Sequence, residues 1–195
     1  MAEQAVGREA AGLLAQSGVV AIGVGNELRH DDAAGLEVAR RVRSLASALP
    51  VAEATESVGG AVARAGAGEI AVLEHEGEPL GLLELWDGAR AAVLVDAVRS
   101  GATPGTIHRV DVSREPIPAL LRGSSSTHAV GVGEAIELAR ALDRLPQRVV
   151  VYGVEGLCFD AGSGLSADVE GVIDSLAEAV LREVRDLASL LRRYV

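Results

Sequence analysis

The sequence predicts an α/β fold built on a mostly parallel sheet. Continuous apolar runs of strand length, VVAIGV at 19–24, AAVLVDAV at 91–98 and QRVVVYGV at 147–154, suit parallel strands covered on both faces. Segments with apolar residues at helical spacing separate them, and strand–helix alternation is the signature of a parallel sheet. The 195-residue length suggests one domain, 1–195, large enough to bury a sizeable core.

Residues 3–16 read as a short amphipathic helix or an arm within an N-terminal extension, 1–18. After the first strand, Leu36, Ala39, Val42 and Leu45 mark a helix over 32–48 that Pro50 stops. The stretch 51–70 is rich in Ala, Gly and Glu and reads as an inserted loop. EIAVLE at 69–74 is a strand, PLGLLELW at 79–86 a short helix with Pro79 in its first turn, and 91–98 a strand closed by Asp96. Pro104-Gly105 fits the centre of a type II turn, and the alternating strand after it suits an antiparallel place at a sheet edge. A proline-bearing loop, a helix over 128–143, the strand at 147–154, a Gly-rich loop at 156–164 and a helix over 166–193 complete the chain.

Charge and composition exclude several functions. The net charge is −10 and every basic residue is Arg, so neither a nucleic-acid stripe nor a polybasic membrane patch is expected. Cys158 is the only cysteine, which rules out an intrachain disulfide and suits a reducing cytosol. The first residues carry acids and lack a long apolar core, unlike a secretory signal. No apolar run is long enough to span a membrane. A cytoplasmic location is the expectation.

In an open α/β sheet, ligands bind beyond the carboxyl ends of the strands. The polar residues placed there are Asp31 and Asp32 after the first strand, Asp96, His128 before a helix, and Glu155 after VVVYGV. Each also has an ordinary structural reading. Asp31 suits a helix N-cap and Asp32 a first-turn charge. Asp96 can bond loop N–H groups, and His128 can cap its helix. His30 is expected in solvent, and His75 and His108 can face solvent from short strands. Cys158 lies in apolar surroundings that favour an inert thiol.

Two carboxylates and an imidazole make a plausible site for a divalent metal with open positions. HExxH, CxxC and GxSxG are absent, which argues against a standard zinc protease, a zinc ribbon and an α/β-hydrolase. Gly23 and Gly25 open a loop that resembles a dinucleotide turn, but Leu28 stands where the third glycine belongs, so a nucleotide-binding enzyme is the weaker alternative.

Taken together, GVGNELRHDDAAG at 23–35, GEPLGLLELW at 77–86, VLVDAV at 93–98, PGTIHRVD at 104–111, STHAVGVGEAIELAR at 126–140, VVVYGVE at 149–155 and GLSADVEGVI at 164–173 resemble the hydrogenase maturation proteases. These endopeptidases trim the C-terminus of nickel–iron hydrogenase large subunits. The resemblance implies a three-layer αβα sandwich around a twisted, mainly parallel sheet. Its GN…DD/DE…G pattern falls on Gly25, Asn26, Asp31, Asp32 and Gly35, and its metal-contacting positions on Asp32, Asp96 and His128. Ala33 stands where many relatives have Gly, and 51–70 is longer than the pattern leads one to expect.

The resemblance further implies a partner, a large-subunit precursor, whose own nickel these residues contact from outside; zinc or cadmium could replace it in vitro. Either a metal- or carboxylate-oriented water or general-base help from Asp32 or Asp96 could cut the peptide bond. His128 suits a ligand role better than a base. A metal-dependent assembly protein that cuts nothing would use the same three residues.

Overall fold

Strand β1 (Val19–Val24) is buried along its whole length, as its unbroken apolar run requires. The computed structural model describes residues 18–47, 55–57, 60–64, 69–113, 116–121 and 131–193. The expected helix or arm at 3–16 and the start of the helix expected at 128 lie outside them.

The remaining strands are β2 (Thr55–Ser57), β3 (Gly60–Arg64), β4 (Glu69–His75), β5 (Ala91–Val98), β6 (Ile107–Asp111) and β7 (Arg148–Glu155). The helices are α1 (Ala34–Ser47), α2 (Pro79–Leu85), α3 (Val132–Ala141) and α4 (Ala167–Arg192), with 3-10 turns at His30–Ala33 and Ala119–Leu121. Among the described residues the strands form one sheet in the order β2-β3-β4-β1-β5-β7-β6. β4, β1, β5 and β7 are parallel neighbours.

β6 runs antiparallel to β7 at one edge, as its alternation predicted. The turn before it closes through the Thr106 N–H on the Thr103 carbonyl at 3.0 Å, with Gly105 at φ 80°. The other edge corrects the sequence reading: within the expected loop at 51–70, β2 and β3 form an antiparallel hairpin, and β3 pairs antiparallel with β4. Its Ala- and Gly-rich residues carry too weak an apolar alternation to announce a strand; pairing with β4 supplies what local pattern does not.

Side chains on the two sheet faces enter separate cores. Ala91, Val93, Val95 and Ala97 of β5 pack with α1 and α4. Ala92, Leu94 and Val98 pack on the opposite face with Leu82, Leu83 and Trp86 at α2 and Ile136 of α3. This is the three-layer αβα arrangement. α4 holds its place through Val169, Ile173, Leu176, Val180, Val184 and Leu187, a buried stripe at helical spacing. At the start of α2, Pro79 follows the N-cap Glu78, whose carboxylate accepts from the Leu80 and Gly81 N–H groups at 2.9 and 2.8 Å. β5 runs two residues past Asp96, to Val98, so that carboxylate sits within the strand instead of closing it.

β1 lies between β4 and β5, so the chain steps to one side of it and then to the other. The carboxyl end of β1 is therefore the switch point where such sheets open a crevice. Helix α1 presses close to the strands there. A Cβ on Gly35 would lie 2.2 Å from the Val24 carbonyl oxygen and 2.3 Å from that of Val95, and one on Gly23 would lie 2.1 Å from the Gly35 carbonyl oxygen. All of these are backbone atoms that cannot rotate away. Gly35→Ala is expected to lower unfolding stability by about 2–3 kcal/mol through overpacking, measured by urea denaturation; an unchanged midpoint would refute this contact.

Candidate functional site

The loop after β1 starts with a turn that its own side chains hold. Asn26 Oδ1 accepts from the Leu28 N–H at 2.9 Å, a side-chain bond that holds the turn. The Asp32 carbonyl accepts from the Asn26 N–H at 3.2 Å, folding the loop back on itself. Gly25 is needed because a Cβ there would lie 1.8 Å from the Asp32 carbonyl oxygen. The glycines thus let backbone meet backbone, and a phosphate cradle is not required to explain them.

Asp31 is fully buried and caps no turn of its own, contrary to the N-cap reading. Its carboxylate crosses to the β7–α4 loop instead. Oδ2 accepts from the Leu157 and Cys158 N–H groups at 2.8 and 2.9 Å and from the Ser166 hydroxyl at 2.9 Å; Oδ1 accepts from the Ser166 N–H at 2.6 Å. Burial pushes the acid up, but these bonds outweigh it and hold Asp31 below the usual carboxylate range. The Asp31 N–H returns a bond to the Cys158 carbonyl at 3.0 Å. Cys158 contributes its backbone to this clamp, and its half-buried thiol lies 4.0 Å from Asp160.

His30 also departs from expectation. It is half-buried at φ 49°, and its ring Nδ1 donates to the Gly164 carbonyl at 3.0 Å.

With the loop zipped this way, Asp32 is 2% exposed and Asp96 5%. Both line one small pocket of about 10 Å³ with Val24, Gly25, Glu76, Gly77, Gly131 and Val132. It lies at the switch point beside β1. The structure therefore brings together two of the three residues read from the sequence. His128 lies outside the described residues, and among those described no three His, Cys, Asp or Glu side chains gather to hold a metal.

The two carboxylates differ in surroundings. The Arg29 guanidinium stands 3.8 Å from Asp32 through Nε, which is buried without a hydrogen bond. Asp96 has the Ala97 N–H. Burial first, and then the neighbouring Asp32 charge, raise it from 3.8 to about 8.

Glu155 belongs elsewhere. It accepts from the Ser100 and Gly101 N–H groups, both at 2.8 Å, and from the Ser100 hydroxyl at 2.7 Å, closing the β5–β6 loop. Burial would raise it, but these bonds hold it low. His108 sits 3.6 Å from it, partly shielded. His75 is lowered by burial, and its Nδ1 accepts from the Gly77 N–H at 2.9 Å, steadying the pocket wall. Two pocket neighbours went unread in the sequence, Glu76 and Arg29. The signal for Glu76 was its place just after β4, at the same edge as the other acids.

An αβα sandwich with a buried pair of aspartates at its switch point defines the class, an α/β protein with an acidic pocket beyond the parallel strands. The chain belongs to the hydrogenase maturation protease family, whose model matches residues 65–183, a span that includes Asp96 and His128. It is a peptidase. It is 29% identical over 170 residues to the hydrogenase expression/formation protein HupD of Rhodobacter capsulatus, covering 86% of this chain and 71% of that one. Against the hydrogenase 2 maturation protease of Escherichia coli the identity is 25% over 170 residues, covering 86% and 91%. In fold it is similar to the hydrogenase maturating endopeptidase HybD of E. coli, with a TM-score of 0.63, 22% identity and coverage of 86% and 92%. It is also similar to the [NiFe] hydrogenase maturation protease HycI of Thermococcus kodakarensis, with 0.60, 18%, and 90% and 97%.

Two outcomes follow from the acids. Asp31→Asn turns an amide N–H₂ towards buried donors and should cost about 2–4 kcal/mol of stability, read by urea denaturation at pH 7; a loss under about 0.5 kcal/mol would contradict the clamp. Asp96 works in the opposite sense. Its folded value lies above its unfolded one, so the stability its neutral form provides is full below about pH 4 and drains away as pH rises to about 8. Asp96→Asn should therefore be more stable than the parent at pH 8 and gain little at pH 4. Thermal melts across that range would show a constant gap if the acid were not shifted.

Proposed function

We propose that this peptidase removes the C-terminal peptide of a nickel-loaded hydrogenase large-subunit precursor, meeting the bound nickel with Asp32, Asp96 and His128. One observation carries the reading: Asp32 and Asp96, far apart in sequence, are buried side by side in a pocket at the switch point of the sheet. Family membership supplies the class of reaction, and the names of its relatives supply the hydrogenase.

The donor set supports a metal-bearing substrate. Imidazole and carboxylate suit borderline divalent ions, and three protein ligands leave positions for the precursor's own donors. A buried carboxyl raised to about 8 holds its proton until a cation arrives, so binding the loaded precursor releases that proton. A precursor without metal offers nothing to offset the burial of that charge, which makes the ion a test of readiness.

In cleavage, water is oriented at the scissile carbonyl beside the pocket. A carboxylate takes one proton as the new C–O bond forms, and the departing amine receives it as the C–N bond breaks. His128 serves as a ligand, because a metal-bound nitrogen cannot accept that proton.

Asp32→Ala, Asp96→Ala and His128→Ala should each reduce processing of the nickel-loaded precursor by about hundredfold or more, followed as loss of the C-terminal peptide by mass spectrometry. Full activity in any two of these variants would overturn the site assignment. A stable complex with no mass loss from the wild type would instead identify an assembly protein.

A further inference from the structure

The three most exposed large apolar side chains among the described residues are Leu28 at 72%, Leu80 at 60% and Leu157 at 58%. All three stand at the carboxyl edge of the parallel strands. Leu28 is in the loop after β1, four residues before Asp32. Leu80 is in the first turn of α2, three residues after Gly77. Leu157 follows β7, and its N–H is held by Asp31. Each is therefore tied to an element that lines or braces the aspartate pocket. No local packing needs them outside: the Leu28 carbonyl accepts from the Gly162 N–H and the Leu157 N–H donates to the Asp31 carboxylate, while the side chains stay in water.

The pocket has room for about one ion or one water, at about 10 Å³. A cavity that small contacts little of a protein substrate, so most of the affinity must come from the surface around its mouth. The apolar residues needed for that are the leucines, and the acids beside them are exposed: Glu76 and Glu78 near Leu80, and Asp160 near Leu157.

We propose that Leu28, Leu80 and Leu157 form the docking surface for the precursor, taking an apolar patch of the large subunit rimmed by basic side chains. This rests on the protease reading given above. The surface holds the substrate while the pocket tests for the ion, so binding and cleavage are separable.

The test is steady-state processing of the nickel-loaded precursor by Leu28→Ser/Leu157→Ser and by Leu80→Ser. The control is Leu142→Ser/Leu190→Ser, which alters exposed leucines at the C-terminal ends of α3 and α4. Those helices return antiparallel to the strands, so their ends lie at the opposite edge. The double variant at the mouth should raise KM by about tenfold or more, with kcat and the thermal midpoint unchanged and the control kinetically silent. An unaltered KM, or an equal rise in the control, would overturn the docking surface. Should the wild type fail to cut, the protease reading falls first, and calorimetric titration with the precursor then decides this one. Leucine-dependent affinity upholds it, and leucine-independent or absent binding refutes it.

Discussion

The carboxylate of Asp31 is the interaction on which the site depends. It gathers four hydrogen bonds from residues 157–166, more than 120 positions away in the chain, and its own N–H adds a fifth in return. A buried charge so fully bonded is stable only in one arrangement of both loops. That arrangement places the next residue, Asp32, over the carboxyl end of β1. The doubled aspartate is thus a division of labour: one acid orders the loops, and the other faces the pocket.

Around this clamp, close backbone contact replaces side-chain packing. Gly23, Gly25 and Gly35 admit carbonyl oxygens where a Cβ would collide. The 3-10 turn and α1 can therefore sit directly on β1 and β5. This closeness brings Asp32 within electrostatic reach of Asp96, across adjacent parallel strands. Two acids sharing a water-poor pocket cannot both carry charge cheaply. Arg29 stands beside Asp32, whereas Asp96 has the Ala97 backbone N–H. Burial and the Asp32 charge together favour the neutral form of Asp96, so the pair carries less charge than two free carboxylates would.

The edges of the sheet have another function. β6 on one side and the β2–β3 hairpin on the other, joined through antiparallel β3, cap the four parallel strands. The parallel centre stays covered on both faces, with the switch point near its middle. The small pocket and the exposed leucines above it then share one edge, where a large partner can reach them without disturbing either core.

Much of this was legible in the residues. The uniformly apolar runs of β1, β5 and β7 announced buried parallel strands, and the alternation of β6 its antiparallel edge. Asp96 stood out because a carboxylate in an apolar strand run requires a reason, and Asp32 because its loop follows the first such run. These are properties of consecutive residues, so composition and period reveal them. What only the tertiary structure decided is pairing across distance. It turned Asp31 from a cap into a clamp, committed Glu155 to the Ser100 loop and His30 to Gly164, made a hairpin of an Ala- and Gly-rich stretch, and put Glu76 in the pocket wall. The physical reason is that a carboxylate's role is set by which donors surround it and how little water remains, and those donors come from elements that only the folded sheet brings together.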